Sequence, residues 1–404
     1  GSFASDLVTG TRDPTLLRGV IAELQAVADQ VSAGRERWSL QTYLADALMQ
    51  SERPDQALAL YEQAAAEAKA AEHWSDVGVI CGNWAAALGG VGQLDRARAM
   101  HLRSAEANQK AGRPRVNVIG SELEALRIDV YQGQAEAALP KIEARLQAVR
   151  GWWQRRRAGK AVADAPELVD LGRVLVSGLD IAEEANRQLN RWEACLALLE
   201  EIEQTDRELG ESKHEQTISR FNQYGPLIRL GRLDDAQRVV EECLAVFREV
   251  DDLAHQAKAI SALANIWQER GDIAQAIALE RQALSIRNRL PDPSDRAISH
   301  DILSICLDET GKAEEGARHL LAAIIYCLII KRHDHLSISL HNLRIRIRRA
   351  AQSGGRYELP RLADLLARPE FAALGQFLAQ SGVVVPRLQA QLDQLVAQAR
   401  QEAE

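Results

Sequence analysis

The chain has 404 residues, 46% of them hydrophobic and only 4% aromatic. That is ample apolar material for a core, yet it is poor in the strand-forming residue types, which argues against a β-rich fold. The formal net charge of −8 argues against a nucleic-acid-binding protein, whose footprint is normally basic.

Cys81, Cys195, Cys243, Cys306 and Cys327 are odd in number and contain no C-x-x-C pair. Each lies in an apolar helical pattern, so the expectation is buried free thiols in a reducing, cytoplasmic setting. No leader pattern is visible, and no charge-free apolar run reaches the roughly 20 residues a membrane helix needs. Gly1-Ser2 resembles a cloning remnant, so the chain reads as a piece of a longer protein.

In chain order, residues 1–12 carry no periodicity. Asp13-Pro14 is a helix start, and the amphipathic run to Val31 predicts a capping helix. A helix pair begins near Trp38, with Leu44, Ala45, Leu48, Ala57, Tyr61 and Ala64 on its inner faces; Glu52 sits where a turn glycine would. The next begins near Gly78 with Trp84, Ala85, Leu88, Gly92 and Ala97. A third begins near Ile119 with Ala125, Leu126, Gly133, Ala138 and Ile142, and Asp129 is a poor fit to its packing place. Residues 151–174, which include GWWQRRRAGKAVADAPE, interrupt the spacing and are expected to be irregular. Further pairs begin near Leu175, Thr217, Ala257 and Ala297.

These starts fall at 38, 78, 119, 175, 217, 257 and 297, so the spacings are 40, 41, 56, 42, 40 and 40. An eighth pair is expected from Lys331, until Gln352-Ser353-Gly354-Gly355 breaks the helix. Beyond it, Leu362–Leu366, Phe371–Leu378 and Leu388–Val396 predict three helices set off by Pro360, Pro369 and Pro386. They would cover the last apolar face, as a stacked array requires.

The stretch from Ala257 to Arg287 shows the pattern best. Numbered from Ala257, the places 7, 8, 11, 15, 20, 24 and 27 hold Leu263, Ala264, Trp267, Gly271, Ala276, Glu280 and Ala283. This resembles a tetratricopeptide repeat, with one departure: Glu280 stands where a large apolar residue is usual, and is expected to mark a wetter packing site. A spacing near 40 exceeds the usual repeat of about 34. It resembles the long repeats of bacterial sensor arrays, including the sensor regions of STAND-type signalling ATPases.

The resemblance implies an all-α fold, a right-handed α-solenoid of seven to eight helical hairpins. The expected division is 1–37 as N-terminal segment and cap, 38–150 as repeats one to three, 151–174 as insertion, 175–352 as repeats four to eight, and 353–404 as C-terminal cap. It also implies that first helices line a concave face and that ligands meet places 2, 5, 9, 12 and 13. Those places offer Arg127, Tyr131, Glu183, Asn186, Arg187, Phe221, Arg229, Lys258, Ser261, Asn265, Gln268, Glu269, Asp301, Asp308, Glu309, His341, Arg348 and Arg349.

Two further groups stand out from the residues themselves. Trp152 and Trp153 beside Arg155, Arg156 and Arg157 could grip a partner by stacking, or simply pack under a loop. Lys331, Arg332, Arg344, Arg346, Arg348 and Arg349 face one acid, Asp334, giving +5 locally and leaving −13 elsewhere. This is either a site for an acidic partner or a solvated face.

No phosphate loop, H-E-x-x-H, G-x-S-x-G or dinucleotide fingerprint occurs. His214-Glu215 lacks a second histidine at metalloprotease spacing. His333-Asp334-His335 reads as a solvated turn, because neighbours two apart on a helix diverge. The expectation is therefore a non-enzymatic protein- or peptide-binding scaffold or sensor of a bacterial regulatory protein, with no cofactor, no metal, no membrane and no nucleic acid. A small-molecule-responsive regulator and a self-associating module are the other readings.

Overall fold

The computed structural model describes residues 14–28, 30–32, 34–51, 53–160 and 168–402, without the side chains of 14–16, 333 and 334. The readings made for residues 1–13, Glu52, 161–167 and the His333 and Asp334 side chains lie outside it. Every regular element among the described residues is helical.

Two compact units divide the chain, residues 1–212 and 213–404. In the first, α1 (Pro14–Ala28) precedes four hairpins: α2 (Arg35–Gln50) with α3 (Pro54–Ala70), α4 (Trp74–Gly90) with α5 (Leu94–Lys110), α6 (Arg115–Tyr131) with α7 (Ala135–Arg157), and α8 (Leu168–Gln188) with α9 (Trp192–Leu209). In the second, α10 (Lys213–Phe221) and α11 (Tyr224–Arg229) together pair with α12 (Leu233–Glu249). Then come α13 (Leu253–Glu269) with α14 (Ile273–Arg287), α15 (Ser294–Glu309) with α16 (Ala313–Ile329), and the single helix α17 (His333–Gln352). The chain ends in α18 (Leu362–Leu366), a 3-10 turn at Pro369–Phe371, α19 (Ala372–Gln380) and α20 (Val385–Gln401). Each unit is a stack of consecutive helical hairpins.

The turns explain the period. Gly271 lies just past α13 with φ +84°, a backbone that costs glycine nothing. Its N–H bonds to the Gln268 carbonyl and that of Asp272 to Trp267, so the last carbonyls of α13 are satisfied. The Asp272 carboxylate then accepts from the N–H of Gln275 and starts α14. The same left-handed residue recurs at Gly231 and Gly311, one repeat to either side. Elsewhere the geometry is imposed on Glu72, Asn190, Asp251 and Lys331.

Alanines at the expected places are buried, among them Ala45, Ala57, Ala64, Ala264, Ala276 and Ala283. Short side chains let helix axes come close. The tail packs as expected: Leu362, Leu365, Phe371, Leu374, Leu378, Leu388 and Leu392 join Leu320, Leu321, Ile324 and Ile325 of α16 in one core.

Two expectations change, for residues 151–157 and for Glu280, and the structure adds detail at the fifth hairpin and at Asp129. Residues 151–157 are not irregular but are the last turns of α7, a helix of 23 residues. Trp153 joins Leu146, Val149 and Leu171 in the core, and Arg150 and Arg157 pair with Glu201 and Glu208 of α9. Thus the long spacing comes largely from longer helices, since α8 also has 21 residues. The first helix of the fifth hairpin is broken at Asn222-Gln223, just before Pro226. Proline has no N–H for the carbonyl four residues back and crowds it. Asp129 is buried, and Arg98 of α5 grips its carboxylate at 2.5 and 3.2 Å.

Glu280, expected in a wetter site, is fully buried. The hydroxyls of Ser261 on α13 and Ser299 on α15 each donate to it at 2.6 Å, and the Arg287 Nη1 donates at 3.0 Å. Arg287 lies two turns further along the same helix, so it reaches the same face. One ion pair therefore fastens three consecutive helices.

Removing one partner of a buried pair leaves an uncompensated charge and costs about 3–5 kcal/mol, whereas replacing both with apolar residues is often neutral. Glu280→Ala should therefore destabilise residues 213–404 by that amount in denaturant unfolding, and the Glu280→Leu/Arg287→Met double variant should recover most of it.

A second test uses pH. His300 and His319 meet Nδ1 to Nδ1 at 2.8 Å, buried against Tyr326 and Phe371. Burial holds both below the ordinary histidine range, His319 at about 4. The unfolded chain binds these protons more readily, so stability is fully present above pH 6.5 and falls as pH drops from there toward 4. Asp301, raised by burial to about 6, works in the opposite sense, losing stability as pH rises from its unfolded value toward 6. Between pH 6.5 and 6 the histidines should dominate. The unfolding midpoint should fall on acidification there, and His319→Gln should flatten the slope.

Candidate functional site

Successive first helices touch one another within each unit: α2 with α4, α6 with α8, α11 with α13 and α15 with α17. No second-helix pair makes a comparable contact among the described residues. First helices thus form the more closely spaced row of each unit, here called the inner face, and the residues expected to meet a ligand lie on these helices.

In the first unit the inner face carries a closed polar network. Arg127 on α6 donates to Glu124 at 2.9 Å, to Asp180 on α8 at 3.0 Å and to Ser177 at 3.1 Å, while Ser177 donates to Glu124 at 2.8 Å. Burial pushes the Glu124 carboxyl up, but the hydrogen bonds and charge of Arg127 more than reverse it and hold the group ionised. Arg187 is likewise occupied, by Glu183 and Glu184. Asn186 is buried and bonds the Ala182 carbonyl at 2.8 Å, so it is withdrawn from any ligand. Tyr131 is 55% exposed.

In the second unit Lys258, Asn265 and Glu269 are exposed on α13, Gln268 is half-buried, and Arg229 is exposed on α11. Phe221 is buried. Ser261 is committed to Glu280 and Arg287.

On the same side lies a cleft of about 220 Å³ between α15 and α17. Asp308 and Glu309 form one wall; Asn342, Arg346 and Arg349 form the other, and Ile305 and Ile345 are apolar between them. Arg346 is buried and donates to Asp308 Oδ2 at 2.6 Å and to the Ser304 carbonyl at 2.8 Å. Asp308 Oδ1 has no protein hydrogen-bond partner. It sits against Gly316 of α16, where an added Cβ would come within 2.5 Å of that oxygen. Deeper in the same seam Asp301 is buried and accepts from Ser339 at 2.6 Å. Its carboxyl rises to about 6 because burial outweighs the Ser339 hydroxyl and the Asn342 amide.

The basic stretch of residues 331–350 is not an open patch. Arg344 pairs with Glu402 at 2.5 Å, Arg348 donates to the Glu402 carbonyl, and Arg346 is spent on Asp308. Arg349 lines the cleft, and His341 is exposed. The tryptophan–arginine group also disperses: Trp153 is core, Trp152 is packed against it, Arg157 is paired, Arg156 is half-buried and Arg155 is exposed.

A larger cleft, about 860 Å³, was not signalled by the repeat pattern. It lies between α16 (Glu314, Ala317, Arg318) and the segment Tyr357–Arg368 leading into the cap. Nothing periodic marks this segment, so only its fold back onto α16 creates the space. No described helix is long and apolar enough to cross a membrane.

A tetratricopeptide repeat family model matches residues 256–290. No curated protein matches the sequence. Among solved structures, the apo form of the quorum sensor NprR from B. thuringiensis is similar at 13% identity and a TM-score of 0.59, over 80% of this chain and 85% of that one. A signal transduction ATPase with numerous domains (STAND) protein with a tetratricopeptide repeat sensor, from Pyrococcus horikoshii, is similar at 12% identity and a TM-score of 0.55. There the match covers 81% of this chain but only 46% of the other. At such identities the likeness is one of fold. Residues 256–290 are a tetratricopeptide repeat, and the hairpins on either side are built to the same plan.

Proposed function

We propose that this chain is a non-enzymatic recognition module of a bacterial regulatory or signalling protein, and that it binds a protein or peptide segment along its inner helices. The α15–α17 cleft carries this reading. It presents the Glu309 carboxylate on one wall and the Arg349 guanidinium on the other, with two isoleucines between. A peptide backbone offers N–H groups to the first and carbonyls to the second, while an apolar side chain fills the middle. The fold-level likeness to a quorum sensor and to a STAND protein's repeat sensor supports a sensing role. The polar residues Lys258, Asn265, Gln268 and Glu269 extend the same face on α13.

The 860 Å³ cleft beneath the cap segment favours a second reading, a small-molecule effector, since it falls within the size range of ligand pockets.

Both can be tested. Peptides selected on the immobilised full chain should lose at least tenfold in affinity, about 1.4 kcal/mol, on Glu309→Arg or Arg349→Glu. Anisotropy titration measures this, and unchanged affinity in both variants sinks the cleft as the site. A metabolite that raises the melting temperature in the wild type but not in Arg318→Ala would favour the effector reading instead.

A further inference from the structure

We propose that His214, Asp252 and His255 form a binding site for a zinc-type divalent cation, joining the start of α10 to the start of α13. Their ligand atoms all lie within 4.8 Å of one another, and no other described group of histidine, cysteine and acidic residues is so arranged. His214 Nε2 lies 2.8 Å and His255 Nδ1 2.6 Å from the same oxygen, Asp252 Oδ2. Two imidazoles and a carboxylate are the donor set of zinc and its late first-row neighbours rather than of calcium or magnesium. Metal–ligand bonds of about 2.0–2.1 Å place tetrahedral ligand atoms roughly 3.3 Å apart, so the two imidazole–carboxylate distances need open by only about 0.5–0.7 Å. All three are partly exposed, which leaves the fourth position to water.

The surroundings already hold the ligands in place. Asp252 Oδ1 accepts the N–H of His255 at 3.0 Å, which fixes the carboxylate as the N-cap of α13. The Phe247 ring lies 5.0 Å from that of His255 and edge-on to His214 at 6.1 Å. Glu215 Oε1 is 3.9 Å from His214 Nδ1, so a small side-chain rotation lets it accept a hydrogen bond from Nδ1–H while Nε2 faces the cation.

The same repeat-to-repeat stitch occurs elsewhere without metal-type donors. Trp38 donates to Asp76, and Ser339 to Asp301, each across 38 positions, as His214 and Asp252 are spaced. Among the described residues, only at the fifth and sixth hairpins are both donors imidazoles. The bland alternative is a carboxylate receiving two ring N–H bonds, and the experiment separates the two. The site is independent of the α15–α17 cleft.

Chelator-dialysed full chain is titrated with zinc chloride by calorimetry. We expect one zinc ion per chain at micromolar affinity or tighter, a rise in melting temperature, and no effect of magnesium. Cobalt in place of zinc should give the intense visible absorption of tetrahedral coordination. His214→Gln/His255→Gln should weaken zinc binding at least thirtyfold and abolish the melting shift, with helicity unchanged by circular dichroism. Should the double variant fail to fold, the His255→Gln single variant must lose the cobalt spectrum. Absence of saturable zinc binding by the wild type overturns the proposal. Binding that persists unchanged in the variants does so too, and leaves the three residues as a hydrogen-bonded cap.

Discussion

Close approach of helix axes is the constraint on which everything else here rests. A helix can lie against its partner and against the next hairpin only where its side chains are short. This chain meets that need with alanines such as Ala257, Ala276 and Ala283, and with glycines past the helix ends. Each hairpin leaves an apolar face that the next one covers, so the stack continues until something different closes it. At the C-terminal end the closing element is the α18–α20 group, whose leucines and Phe371 cover α16.

The same constraint explains the buried charges. A packing position that holds an acid instead of a large apolar residue must be neutralised in place. Arg98 does this for Asp129, and Arg287 with two serines does it for Glu280. Such pairs add little net stability over an apolar replacement. They do make register specific, because a hairpin shifted along its neighbour would strand a charge. Polar stitches one repeat apart, such as Arg346 to Asp308 and Gln132 to Asp95, act in the same direction.

Packing also determines which polar residues remain free for a partner. The inner face starts with both signs of charge, and neighbouring first helices consume much of it. Arg127, Arg187, Arg346 and Asp301 are tied into the array, whereas Glu309, Arg349, Asn265 and Glu269 remain accessible. Of these, Glu309 and Arg349 stand at the α15–α17 cleft, and Asn265 and Glu269 lie on α13.

Sequence alone determined the helical class, the spacing near 40, the hairpin turns, most packing alanines and the tail helices. These are local matters: periodicity, left-handed turn residues and side-chain size act within a few residues of one another. It misjudged Glu280 and residues 151–157, because whether a charge is buried or a Trp-Arg run stays helical depends on partners distant in the chain. Arg287 could have been noticed two turns beyond Glu280, but Ser299 could not. Which arginines of residues 331–350 are already paired, how Tyr357–Arg368 folds onto α16, and that His214 meets His255 are decided only by tertiary structure. In each case the deciding contact joins residues that periodicity along one helix does not relate.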